Sequence, residues 1–69
     1  MKLIPVESKM LESAGYDADD EKLRIVFRNG STYEYSGVEE AIYQDLLNAT
    51  SKGAFFLEYI REIYEGKRL

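Results

Sequence analysis

The chain contains neither cysteine nor histidine among its 69 residues. Without cysteine it has no disulfide bond and no thiolate nucleophile, which excludes the disulfide-stapled scaffolds of small secreted proteins. Without histidine it lacks the most common general base and the most common zinc ligand. Serine and tyrosine hydroxyls and carboxylates are present, but no motif organises them into a catalytic or cofactor site. We therefore expect no enzyme activity, no catalytic residues, no cofactor and no metal ion.

Long apolar runs are also missing. No segment approaches the ~20 residues that span a bilayer, and residues 1–7 lack the apolar stretch of a signal peptide. We therefore expect no membrane partner and a cytoplasmic location. The formal net charge is −4, from thirteen acidic and nine basic residues. This balance disfavours binding of a phosphate backbone over the whole surface and leaves only a local basic face as a candidate.

The composition is that of a folded chain. Hydrophobic residues make up 45% of it and aromatic residues 13%, which is too much for a disordered segment. A chain of this length supports one small core, and bulky rings compensate for its size. We expect a single domain, residues 1–69, and a monomer.

Apolar alternation predicts three strands. Residues 10–16 alternate imperfectly, which indicates a first strand with a bulge or bend near Gly15. Residues 22–28 alternate cleanly and form the second strand, and residues 31–36 form the third. The Asn29-Gly30 pair between them is a strong hairpin signal.

The register of this hairpin decides whether Tyr33 and Tyr35 face the core or the solvent. A two-residue loop would place both tyrosines beside arginines and seat Glu34 opposite Ile25 on the core side. A three-residue loop pairs Ile25 with Tyr33 and Leu23 with Tyr35, which gathers the apolar side chains on one face. Because burying an unpaired carboxylate is costly, we expect the three-residue loop and a core position for both tyrosines.

Two helices are predicted after the third strand. The capping-box pattern Ser36-Gly37-Val38-Glu39 places the start of the first helix near Val38, and its apolar stripe ends near Asn48. The second helix is expected over residues 54–64 with Ser51 as its N-cap, followed by a basic tail after Gly66. The fold class is therefore α+β, a three-stranded antiparallel meander followed by two helices packed on one face.

Several of these segments together resemble one known family. The order and spacing of three motifs are similar to those of the KTSC domain: Gly15-Tyr16-Asp17, the central Tyr33-Glu34-Tyr35, and Ser51-Lys52-Gly53-Ala54-Phe55-Phe56. That family is named for an appendage at the C-terminus of some lysyl-tRNA synthetases and also occurs as small free-standing bacterial and phage proteins. The resemblance implies no reaction, and the synthetase context suggests RNA as a partner. It also marks Tyr33, Tyr35, Phe55 and Phe56 as family-motif aromatics, which we expect in the core.

Two surfaces are candidates for binding RNA or another anion. Lys22, Arg24 and Arg28 lie on or near the polar face of the second strand, where they would follow a phosphate backbone or simply protect the sheet from edge pairing. The Lys67-Arg68 tail is expected to assist.

The second candidate surface is the start of the second helix. Ser51, Lys52 and Gly53 combine a hydroxyl, a cation and free backbone N–H groups, which suits either an anion site or an ordinary N-cap.

The acidic run Asp17, Asp19, Asp20 and Glu21 does not fit a calcium loop. Counted from Asp17, the sixth and twelfth positions of an EF-hand loop would need glycine and glutamate, but both are basic here. The alternative to RNA binding is a protein-interaction module, in which rings at the rim such as Tyr43 or Tyr64 form an exposed patch.

Overall fold

The structure is a computed structural model that describes all 69 residues. Its centre is one antiparallel sheet of five strands in chain order, β1 to β5, with the helical segments inserted between β4 and β5. The elements are β1 Ile4–Pro5, β2 Leu11–Asp17, β3 Lys22–Phe27, β4 Thr32–Ser36, α1 Glu40–Asn48, α2 Lys52–Phe56, a π-helical segment Leu57–Arg61, and β5 Gly66–Arg68.

The α+β class is confirmed, but the expectation of three strands is wrong, because the sheet has five. Both additional strands are short edge strands. β1 pairs with β2, and β5 pairs with β4, so the predicted basic tail is a strand. Neither strand alternates apolar and polar residues over enough length to be recognised from the sequence.

The predicted hairpin register is confirmed. Leu23 pairs with Tyr35 and Ile25 pairs with Tyr33, and the Phe27 N–H donates to the Ser31 carbonyl at 2.8 Å. The three-residue loop ends at Gly30, whose φ of +94° lies in the left-handed region that favours glycine.

The bulge of the first hairpin lies elsewhere than expected. The register shift falls between Leu11 and Ser13, not near Gly15. Gly15 is buried beneath residues 1–3, and a Cβ at this position would lie 2.7 Å from the Lys2 carbonyl oxygen. A glycine is therefore required here by the close approach of another backbone segment.

The predicted capping box does not form. Helix α1 begins at Glu40 with Glu39 as N-cap, and no side chain caps it. Gly37 turns the chain with φ of +76°, and the buried Val38 donates its N–H to the Glu21 carbonyl at 3.0 Å. The Tyr16 hydroxyl donates to the Val38 carbonyl at 2.6 Å, so Val38 is held outside the helix by two hydrogen bonds.

The second helix begins two residues earlier than predicted, at Lys52, and together with the π-helical segment it ends three residues earlier, at Arg61. Ser51 is its N-cap, as expected, and accepts a hydrogen bond from the Ala54 N–H at 3.3 Å. After α2 the chain continues as the π-helical segment, which leaves its last residue, Arg61, exposed.

The core lies between the sheet and the helices. It combines inward residues of β2 to β4 with residues of the helical segments, and its buried apolar members are Leu11, Ala14, Leu23, Ile25, Tyr35, Val38, Tyr43, Leu46, Phe56 and Ile60. The expectation of Tyr43 at the rim is wrong, because its ring is buried and stacks on Tyr16 with centroids 5.3 Å apart.

Candidate nucleic-acid interface

The outer face of the β3–β4 hairpin carries a paired charge cluster. The Arg24 guanidinium Nη2 donates to Glu34 Oε2 at 2.7 Å, and Lys22 Nζ lies 3.6 Å from Glu34 Oε1. The hydrogen bond from Arg24 holds the pKa of the Glu34 carboxyl below its ordinary value, against a smaller opposing effect of burial. Both cations are therefore engaged by one carboxylate.

Arg28, the third basic residue predicted for this face, holds two loops together. Its Nε donates to the Ser8 carbonyl at 2.5 Å, and its backbone N–H donates to the Met10 carbonyl at 3.0 Å. The side chain is exposed, but its position is fixed by the β1–β2 connection rather than by Lys22 and Arg24.

The structure brings Ser51, Lys52 and Gly53 together at the start of α2. The Ser51 hydroxyl caps the helix, and Lys52 Nζ donates to the Ala49 carbonyl at 3.0 Å. The Lys52 ammonium thus binds a carbonyl group at the end of α1, which makes it less available to bind an anion. Nearby, Gly53 lies against Met10, with room for a Cβ at 3.5 Å.

The acidic run forms a turn. Asp17 Oδ1 accepts the backbone N–H groups of Asp19 at 3.0 Å and Asp20 at 3.3 Å. No group of three or more acidic residues is arranged to hold a metal ion. No helix is both long and apolar enough to span a bilayer.

An open groove of about 660 Å³ lies at the helix side of the sheet, between the hairpin loop, β5 and the π-helical segment. We call it the aromatic groove. Its charged lining residues are two arginines, and no acidic residue lines it. The lining residues are Met10, Phe27, Asn29, Ser31, Tyr33, Tyr35, Phe56, Leu57, Arg61, Gly66 and Arg68.

The aromatic residues of the groove support one another. The rings of Tyr33 and Tyr35 are nearly parallel, with centroids 6.3 Å apart, and Phe27 meets Tyr33 edge-on at 5.8 Å. Tyr35 also packs edge-on against Phe56 at 5.6 Å. Tyr35 and Phe56 are buried, as expected, whereas Tyr33 is half-buried and contributes to the groove surface.

Gly66 of β5 makes room for the Tyr35 ring. A Cβ at Gly66 would lie 2.4 Å from Tyr35 Cε2, so any larger residue would displace the ring or the strand. Burial raises the pKa of the Tyr35 phenol, which is therefore neutral at neutral pH and does not repel an anion.

The two arginines reach the groove from different elements. Arg68 lies opposite Tyr33 in the β4–β5 register, so it shares the inner face with that ring. Arg61 comes from the π-helical segment, and its Nε is 3.8 Å from Glu62 Oε1, with both side chains well exposed. A pair of this kind is weak, so the Arg61 guanidinium can exchange partners.

Two neighbouring residues of the predicted sites lie on different faces of the sheet, and one of the two groove arginines, Arg61, was not predicted. Lys67 lies opposite Glu34 on the outer face, whereas Arg68 faces the groove. Phe55 is half-buried and packs on Tyr59 with centroids 4.8 Å apart, outside the groove. Arg61 follows the groove residue Leu57 by four positions, a helical spacing that could have indicated their common face.

The fold and the groove define a small α+β domain. Its antiparallel meander and helical segments enclose one core, and an aromatic groove that carries two arginines lies beside this core. Residues 7–64 match the KTSC domain. The chain belongs to the KTSC domain family.

Relatives and a solved structure agree with this assignment. A KTSC domain protein from Yersinia pestis has the same fold, with a TM-score of 0.95 and 38% identity, over 99% of this chain and 96% of that one. A Tsukamurella paurometabola protein is 45% identical over 74% of this chain and 76% of its own length. A lysine–tRNA ligase from Nostoc punctiforme is 33% identical over 97% of this chain, which corresponds to only 12% of the ligase.

Proposed function

We propose that this domain is a non-catalytic RNA-binding module and that the aromatic groove makes the contact. The observation that carries the proposal is the charge of the groove. The chain has thirteen acidic and nine basic residues, yet the charged side chains that line the groove are Arg61 and Arg68. A local positive site on an acidic protein directs a polyanion to one place.

The chemistry of the lining residues suits RNA. Guanidinium groups donate paired hydrogen bonds to phosphate oxygens, and aromatic rings stack on bases. Both kinds of group are present within one groove, next to the polar side chains of Asn29 and Ser31. On the outer face, by contrast, Lys22 and Arg24 are already paired with Glu34, so we assign that face a secondary role.

The relatives support the same proposal. Three proteins similar to this chain over 97% of its length are named as lysine–tRNA ligases, enzymes whose name includes an RNA substrate. The matching region is a small share of each ligase, which fits an accessory binding role better than a catalytic one. A cytoplasmic location is part of the proposal, since tRNA is charged there.

Titration with RNA tests the proposal. The full chain is mixed with labelled tRNA and with short single strands at 50 mM and 200 mM salt, and binding is followed by fluorescence anisotropy. Contacts from two arginines predict a slope of log K against log salt of about −1.4 for single strands, or about a sevenfold loss between the two concentrations. Absence of binding to every RNA at 50 mM salt would contradict the proposal.

A second candidate is a protein-interaction module. The segment after α2 exposes Leu57, Tyr59 and Ile63, with 36%, 46% and 62% of their surface accessible. Exposed apolar side chains on one short segment are typical of a contact with another protein. A pull-down whose partner survives nuclease treatment, from a domain that binds no RNA, would favour this candidate over the first.

A further inference from the structure

The aromatic groove has the features of a site for an unpaired base. Resting on the proposed RNA-binding function, we infer that the groove accepts one unstacked base of single-stranded RNA against the Tyr33 ring, with Arg61 and Arg68 on the neighbouring phosphates. The partner class is therefore single-stranded rather than double-stranded RNA.

The Tyr33 ring is held in a fixed position in which a base can stack on it. Its ring is nearly parallel to Tyr35 and perpendicular to Phe27, with centroids 6.3 Å and 5.8 Å away. A ring fixed by two neighbours loses little freedom when a base binds. Because Tyr33 is only half-buried and lines the groove, part of its surface remains available to a ligand.

Two arginines line the groove together with this ring. Arg68 is the cross-strand partner of Tyr33, and such partners lie about 5 Å apart between their Cβ atoms. Arg61 also lines the groove, and its positive charge acts on Tyr35, where it partly offsets the larger effect of burial that raises the pKa of the phenol. The Tyr33 ring thus shares the groove with two cations, which can bind the phosphates of a nucleotide stacked on it.

A duplex would not use these groups. Bases in an A-form helix are stacked on one another, so aromatic side chains reach them only when they are splayed out of single strands, loops or bulges. A duplex would instead need a wide field of cations along its backbone, and the groove offers two. The cations Lys22 and Arg24 of the outer face are both paired with Glu34, which reduces their attraction for a phosphate backbone.

The asparagine at the mouth of the groove adds a means of contacting the base edge. Asn29 Oδ1 accepts hydrogen bonds from the Ser31 N–H at 2.9 Å and from the Ser31 hydroxyl at 2.7 Å. This orientation leaves both Nδ2 hydrogens of Asn29 without a partner in the protein. They are available to carbonyl or ring-nitrogen acceptors of a base.

The test compares ring variants on two kinds of RNA. The parent, Tyr33→Phe, Tyr33→Leu and the control Tyr59→Leu are titrated with a labelled eight-nucleotide single strand and with a blunt duplex at 50 mM salt. Tyr59 is an exposed tyrosine that does not line the groove, so its variant makes the same substitution elsewhere on the surface. Circular dichroism and urea unfolding show that each variant is folded.

We expect the parent to bind the single strand about tenfold or more tightly than the duplex. Tyr33→Leu should lose about tenfold in affinity for the single strand, whereas Tyr33→Phe and Tyr59→Leu should stay within about twofold. Equal binding of duplex and single strand, or an unchanged Tyr33→Leu, would overturn the base-stacking inference while leaving RNA binding intact. Failure of the parent to bind any RNA would instead overturn the proposed function on which the inference rests.

Discussion

Lys67 and Arg68 are neighbours in the sequence but lie on opposite faces of the sheet. Lys67 is opposite Glu34 on the outer face, and Arg68 is opposite Tyr33 on the face that forms the aromatic groove. This separation follows from the alternation of side chains along β5. It divides the basic end of the chain into one residue near a carboxylate and one residue beside an aromatic ring.

A negative charge placed at the mouth of the groove should weaken RNA binding. In Asn29→Asp the carboxylate can still accept both hydrogen bonds from Ser31, so the hairpin loop is expected to persist. The new charge attracts the two groove arginines and repels phosphate. We expect about a fivefold loss of affinity for single-stranded RNA, measured by anisotropy.

The matched control for this charge is Gln44→Glu on the exposed surface of α1. It changes the net charge by the same amount but does not line the groove. Its affinity should stay close to that of the parent because exposed, distant charges are screened by salt. Equal losses in the two variants would show that net charge, rather than the groove, governs binding.

A side chain at Gly66 should destabilise the protein. In Gly66→Ala the added Cβ would lie 2.4 Å from Tyr35 Cε2, so the ring or β5 has to move. Overpacking of this kind costs about 1–3 kcal/mol in the free energy of unfolding, which urea denaturation measures.

Gly53→Ala is the control for this substitution. Its Cβ would lie 3.5 Å from Met10 Cβ, an ordinary contact, and Gly53 lies within α2. Alanine in a helix should leave stability unchanged or raise it by up to about 1 kcal/mol. A Gly66→Ala protein as stable as the parent would mean that Tyr35 does not pack against β5 in solution.

The ion pairs of Glu34 should make stability depend on acid pH. Hydrogen bonding to Arg24 lowers the pKa of the folded Glu34 below its ordinary value of 4.5. The ion pairs therefore contribute fully to the free energy of unfolding above pH 4.5. This contribution is lost as the pH falls through the lower pKa of Glu34 in the folded state. Glu34→Gln should cost about 1 kcal/mol at pH 7, and the difference from the parent should shrink below pH 4.5.

Urea unfolding between pH 3 and pH 7 measures this effect. Glu58→Gln, at an exposed glutamate that makes no ion pair, serves as the control and should stay within about 0.5 kcal/mol of the parent at pH 7. If the deficit of Glu34→Gln stayed constant down to pH 3, the ion pairs with Arg24 and Lys22 would not contribute to the acid dependence.

The central hairpin could be predicted from the sequence because two independent constraints agree there. The Asn29-Gly30 signal limits the loop to two or three residues, and the cost of burying Glu34 selects the register. The KTSC resemblance was likewise carried by motifs within the chain, and the family match covers residues 7–64.

The remaining features depend on contacts that local patterns do not contain. The start of α1 is set by the hydrogen bonds of Val38 to Glu21 and Tyr16, which are distant in sequence. β5 has three exposed residues, Gly-Lys-Arg, and exists as a strand because β4 offers it a free edge. The groove could not be anticipated because it requires both β5 and the π-helical segment that presents Arg61.

The comparison of Arg68→Gln with Lys67→Gln tests whether RNA binds in the aromatic groove. The two variants remove the same charge from adjacent residues on opposite faces of the sheet, and both are titrated with single-stranded RNA from 50 mM to 200 mM salt. We predict that Arg68→Gln weakens binding about fivefold at 50 mM salt and reduces the magnitude of the salt slope by about 0.7, while Lys67→Gln leaves both unchanged. Equal effects of the two substitutions, or a larger effect of Lys67→Gln, would contradict the assignment of RNA binding to the aromatic groove.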